Sequence, residues 1–127
     1  MLDVFLKKLG QELQLTAPFS PVKKDRYELS FDPAIDVAMT ESEEGVLLEG
    51  TLAPLPSSGA ESFLLQAMEA NLFGRGTRGG ALGLTEEGKA LTLSLAIPKG
   101  ASYEHFKGRL QDFISVFDHW RDASSKS

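Results

Sequence analysis

The chain contains no cysteine, so no disulfide can staple it, and neither thiolate catalysis nor cysteine-ligated zinc is available to it. Histidine is nearly as scarce, with only His105 and His119 present. They lie on the polar side of one predicted helix, about four turns and some 20 Å apart, too far to share a metal. No apolar run approaches the ~20 residues of a membrane span. The first residues, MLDVFLKKLGQEL, carry their charges inside the apolar pattern and lack an uninterrupted core followed by a small-residue cleavage site. A cytosolic protein is therefore expected. Basic residues are outnumbered, 13 Lys and Arg against 18 Asp and Glu, for a net charge of −5. That balance disfavours nucleic acid and anionic membrane as partners.

Recognisable catalytic signatures are missing as well. There is no G-x-S-x-G elbow to expose a serine nucleophile. Gly74-Arg75-Gly76-Thr77-Arg78-Gly79 matches G-x-G-x-x-G, but it follows a predicted helix and precedes a predicted strand. A dinucleotide site needs the opposite order, so that the positive end of a helix dipole meets the pyrophosphate. The acidic runs at Glu41, Glu43, Glu44 and at Glu86, Glu87 fall in predicted turns, where such charges are ordinarily solvated. No enzyme activity, cofactor or metal is expected.

What is present is an ordinary globular composition: 127 residues, 42% hydrophobic and 24% charged. Residues 1–123 are expected to form one domain, with the SSKS tail (124–127) disordered. Asp3 can cap a first helix running to about Leu13, with Leu2, Phe5, Leu6, Leu9 and Leu13 on a stripe roughly 100° wide. Gly10 weakens that helix, and the proline-bearing stretch from Thr16 to Pro21 follows as a loop. Alternation predicts strands at Tyr27–Phe31 and Ile35–Thr40, joined by a turn at Asp32-Pro33, and a second turn at Glu41 to Gly45 leads into a third strand at Val46–Ala53. A second helix is predicted at Ala60–Phe73, opened by a Ser58/Glu61 capping box and stopped by Gly74. Two more strands, Ala81–Thr85 and Leu91–Ile97, form a hairpin about Glu86-Glu87-Gly88. After the break from Pro98 to Ala101, Ser102 can cap a last helix to about Ala123, with all its aromatics in one arc of roughly 160°. The order α-β-β-β-α-β-β-α with short connections gives an α+β fold: an antiparallel five-stranded sheet with three helices on one side.

The second helix stands out. Phe63, Leu64, Leu65, Ala67, Met68, Ala70 and Leu72 cover roughly 220° of it, far more than one core needs. It should be covered from two sides, and in so short a chain the second cover is expected to be another subunit.

This succession of elements resembles the specific (class I) effector chaperones of bacterial type III secretion, the CesT/SycE-like family. The resemblance spans nearly the whole chain. Its most specific part is L-x-x-x-L-x-x-N at the end of the second helix, here Leu64, Leu65, Met68, Asn71 and Leu72, followed by a glycine-rich step into a strand at Leu82-Gly83-Leu84. The resemblance implies a bacterial cytoplasmic homodimer, with heterodimers of related chaperones as the variant, joined through Leu64, Leu65, Met68, Asn71, Leu72, Leu82 and Leu84. It implies that the dimer binds the N-terminal segment of a secreted effector in extended form, without ATP. Expected effector-binding residues are Val4, Phe5, Leu9, Leu13, Leu15, Phe19 and Leu47, of which Val4 and Leu15 fall off the first-helix stripe and are the best placed for a client. The alternatives are a regulatory partner of the same fold that sequesters a regulator or gatekeeper protein, or a small-ligand-binding protein using the glycine-rich loop. Arg75 and Arg78 in that loop could instead meet an acidic client segment.

Overall fold

The structure is a computed structural model that describes residues 2–14, 19, 21–31, 35–54, 60–73, 79–85 and 87–125. Its elements are α1 (Leu2–Glu12), β1 (Arg26–Phe31), β2 (Ile35–Ser42), β3 (Gly45–Pro54), α2 (Ala60–Phe73), β4 (Ala81–Leu84), β5 (Ala90–Pro98) and α3 (Tyr103–Ser125). The strands form one antiparallel sheet in the order β1-β2-β3-β5-β4, so β3 and β5 pair across the intervening α2 and β4. This is the expected order, with small shifts at element ends. β2 runs on to Ser42, which reduces the expected Glu41–Gly45 turn to Glu43-Glu44. α3 continues to Ser125, into the expected tail.

Alternation along the strands sends one set of side chains inward. Leu29, Val37, Met39, Leu48, Leu93 and Leu95 are all nearly inaccessible, while Glu28, Asp36, Leu47 and Glu49 point to the other, open face. All three helices deliver their apolar residues to the inner face in one continuous core. α3 lies along its middle through Phe106, Leu110, Phe113, Val116, Phe117 and Trp120, the arc expected from its periodicity. Its Ser102 accepts a hydrogen bond through Oγ from the His105 amide at 3.1 Å, the N-cap geometry that satisfies a first-turn donor. Gly50 lets α3 come close: a Cβ there would stand 2.8 Å from the Phe117 ring and 3.3 Å from that of Phe113.

At the start of α1, one capping contact comes from outside the helix. The Leu2 amide donates to Glu41 Oε1 of β2 at 2.9 Å, and Asp3 sits within the first turn. Leu2, Leu6 and Leu9 are buried on the expected stripe, Phe5 is half-buried, and Leu13 lies beyond the helix end and is exposed. Gly10 faces the ring of Phe19, at 3.8 Å from where its Cβ would be, which is ordinary van der Waals contact. Gly10→Ala should therefore recover helix propensity without a clash and stabilise the chain by about 0.5–1 kcal/mol, raising the melting temperature by a few degrees. A lower melting temperature by circular dichroism would show that Phe19 needs the gap.

Candidate protein-docking surfaces

Two apolar surfaces remain uncovered, and helices that are otherwise well anchored carry both. On α2, Phe63 and Ala67 face the core, with the Phe63 ring edge-on to Trp120 at 5.7 Å between centroids. Leu65 and Met68 point away from it and are 61% and 65% exposed. Their angular separation from Phe63, roughly 160° and 140° at 100° per residue, explains why one packed interface cannot cover both sets. α2 packs against β4, whose Leu82 is buried and whose Leu84, at the end of the sheet, is exposed. Leu64 is half-buried between the two sides. Asn71 and Leu72 belong to α2, but their side chains lie outside the described residues.

The other surface centres on α1. Val4 is 62% exposed, on the flank away from Leu2, Leu6 and Leu9, and Leu13 is bare just past the helix end. Phe5 and Phe19 are half-buried. Leu9 is a core residue, and a client could reach it only if α1 moved. Leu15 lies outside the described residues. Leu47 projects from β3 on the open face of the sheet and so does not adjoin the α1 residues that pack on the inner face.

α1 is tied to α3 by chemistry as well as packing. Phe5 lies 5.0 Å from Phe106 and 5.9 Å from Tyr103, its ring tilted to both, while the Lys8 ammonium sits 4.7 Å over the Tyr103 ring. Glu12 and Lys107 form an ion pair between the helices, which lowers the carboxyl pKa and raises that of the ammonium. Both groups meet solvent, so the pair orients α1 more than it stabilises the fold. Burial first, and then the Glu12 carboxylate, pushes the Tyr103 phenol upward. Its hydroxyl still lacks a partner in hydrogen-bonding geometry, the one such buried side-chain atom among the described residues.

His105 and His119 are both exposed on α3, and no cluster of three potential metal ligands occurs among the described residues. The glycine-rich step lies between the end of α2 and the start of β4, as its sequence context requires, and residues 74–78 are outside the described residues. No described helix is long and apolar enough to cross a membrane. The periodicity had marked the excess of apolar surface on α2, but not which residues are left over, because that depends on where Phe63 meets Trp120.

Known proteins share both the sequence and the shape. A Chlamydia pneumoniae protein, CPj0713/CpB0740, is 28% identical over 122 residues, covering 94% of this chain and 93% of its own. A chain of the heterodimeric ExoU–SpcU complex from the type III secretion system of Pseudomonas aeruginosa superposes with a TM-score of 0.77 at 16% identity, covering 100% of both chains. A chain of the HopA1–SchA chaperone–effector complex gives 0.74 at 19% identity, over 95% of this chain and 93% of the other. The family model for Tir chaperone proteins matches residues 4–121. With that match running from the first turn of α1 almost to the end of α3, the chain belongs to the Tir chaperone protein (CesT) family.

Proposed function

We propose that this protein is a type III secretion chaperone whose homodimer holds the N-terminal segment of a cognate effector in extended form in the bacterial cytoplasm, soluble and competent for export, without hydrolysing ATP. The observation that carries this reading is the pair of uncovered apolar surfaces on opposite elements of a well-packed fold, Leu65 and Met68 on α2 and Val4 and Leu13 beside α1. One would seat the second copy and the other the client, since an extended polypeptide gains most by covering apolar residues it finds already exposed. Family membership supports the same reading, as do the chaperone–effector and secretion-system complexes with which the fold superposes. Leu64 and Leu84 extend the proposed subunit seam, with Asn71, Leu72 and Leu82 as its further expected members. Phe5 and Phe19 extend the client surface, with Leu9, Leu15 and Leu47 as its further candidates.

The test is co-purification from the native cell, comparing wild type with Val4→Asp and Leu13→Asp. Both side chains are largely in water already, so melting should stay within about 2 °C of wild type. Retention of the client should fall at least tenfold, as for a contact worth about 1.4 kcal/mol or more. Undiminished retention would remove α1 from the client surface. Capture of a transcriptional regulator in place of a secreted effector would favour the sequestering role.

A further inference from the structure

The open face of the sheet is not flat. Across it runs a hollow of about 880 Å3, spanning β1, β2, β3 and β5 and reaching the end of β4, with Val22 at one rim. Val22 is large, apolar and about half exposed. That volume is in the range of clefts that take ligands, although this one is open along its length. Small side chains make it. The register places Glu28, Ala38, Glu49, Ser94 and Ala81 in one row across all five strands. The next row holds Ser30 with Asp36 and, on the other strands, Thr51, Thr92 and Gly83. Solvated sheet faces ordinarily carry long side chains that shield the backbone; here Ala38, Thr92 and Ser94 leave a floor on which another chain can lie flat.

The charges in the hollow do not balance. Arg26, the one cation among the described lining residues, is already engaged: its Nε lies 3.6 Å from Glu28 Oε1, and its Nη1 donates to Thr40 Oγ1 at 3.0 Å. Asp36 accepts a hydrogen bond from Ser30 Oγ at 2.6 Å, a neutral donor, and has no ion pair among the described residues. Glu49, on the central strand, has no hydrogen bond or ion pair among the described residues. Carboxylates held in a concave surface focus a negative potential and favour a cationic occupant.

We infer that this hollow is a second docking surface, separate from α1, for an extended lysine- or arginine-bearing stretch of a polypeptide. Val22 at its rim takes an aliphatic portion of that stretch, its hydroxyl floor lies beneath the backbone, and Glu49 and Asp36 meet the cationic heads. If the chaperone reading holds, the natural occupant is a basic part of the same client. The inference about the surface itself can be tested without any client.

The probe is a ten-residue peptide alternating lysine with serine, titrated at low salt into the full chain, beside a matched peptide with glutamate in place of lysine. Saturable amide shifts by NMR are expected at Ala38, Glu49 and Ser94 with the lysine peptide and not with its glutamate counterpart. Combining Glu49→Gln with Asp36→Asn should weaken binding at least tenfold. Combining Glu43→Gln with Glu104→Gln, the same charge change on exposed residues elsewhere, should change it less than twofold. Equal weakening by both pairs, or shifts centred on α1 or α2, would overturn the inference by reducing the effect to net charge. Free lysine binding as tightly as the peptide would overturn it in favour of a small-molecule site. A client captured normally by the Glu49/Asp36 variant would reject the hollow as a client site and leave the chaperone reading intact. Peptide binding in a chain that captures no secreted client would do the reverse.

Discussion

Gly45→Ala is expected to destabilise the chain by about 3 kcal/mol or more, enough to lower the melting temperature by roughly 10 °C. Gly45 closes the β2–β3 turn with a φ of +136°, where L-residues are strained. It is also wedged: a Cβ would stand 2.0 Å from the Ile97 carbonyl oxygen, 2.8 Å from the Lys99 nitrogen and 2.9 Å from the Pro98 carbonyl carbon. All of these are backbone atoms, so no rotamer change can relieve the contact. Moving them would disturb the β3–β5 ladder, where Gly45 pairs with Pro98 and Val46 with Ile97, and the hydrogen bond from the Lys99 amide to the Glu44 carbonyl. Gly88→Ala is the control. Gly88 also has positive φ, at +69°, but nothing lies within 4 Å of its Cβ position. It should cost only about 1 kcal/mol of conformational strain. If the two variants melt within about 2 °C of each other, the wedge at Gly45 contributes nothing and φ strain alone remains.

That contrast also marks how far the sequence could be read. Period-two alternation announced β1, β2 and β5 because each has one face in the core and one in water. Ala60–Phe73 was legible from end to end as a run of helix formers. The aromatic arc of α3 was legible because Phe106, Phe113, Phe117 and Trp120 bury in one direction. What the sequence withheld depended on elements distant along the chain. Glu41 reaches the first amide of α1 from 39 residues away, a contact no local pattern could announce. Gly10 reads locally as a weakness, yet Phe19 packs over it. Leu9 and Val4 look alike in composition, and only the angle at which α1 meets the core separates a buried side chain from an exposed one. The hollow on the open face needs the strand register: Ala38, Glu49 and Ser94 are neighbours only because β2, β3 and β5 pair as they do. Membership in the family was legible because order and spacing of elements survive where single residues drift.

Combining Leu65→Glu with Met68→Glu is expected to convert the proposed dimer into a folded monomer. Both side chains are already more than half exposed in the single chain, and neither is part of its core. Glutamate there costs the isolated fold little, and its helix propensity is close to that of leucine and methionine. In the proposed seam the same carboxylates would lose water without gaining a cation, at about 3 kcal/mol for each buried, unpaired group. A two-fold axis repeats every substitution, so even one effective carboxylate per chain gives about 6 kcal/mol, or roughly 10⁴-fold in the dissociation constant. Sedimentation at micromolar concentration should then show the mass of one chain where wild type shows two, with an unchanged far-ultraviolet spectrum and a cooperative melt. Val4→Asp, on the other apolar surface, should leave the mass at two chains. A double variant that still sediments as a dimer would show that α2 is not the seam. A variant that loses its cooperative melt would show that Leu65 and Met68 stabilise the single chain, despite their exposure.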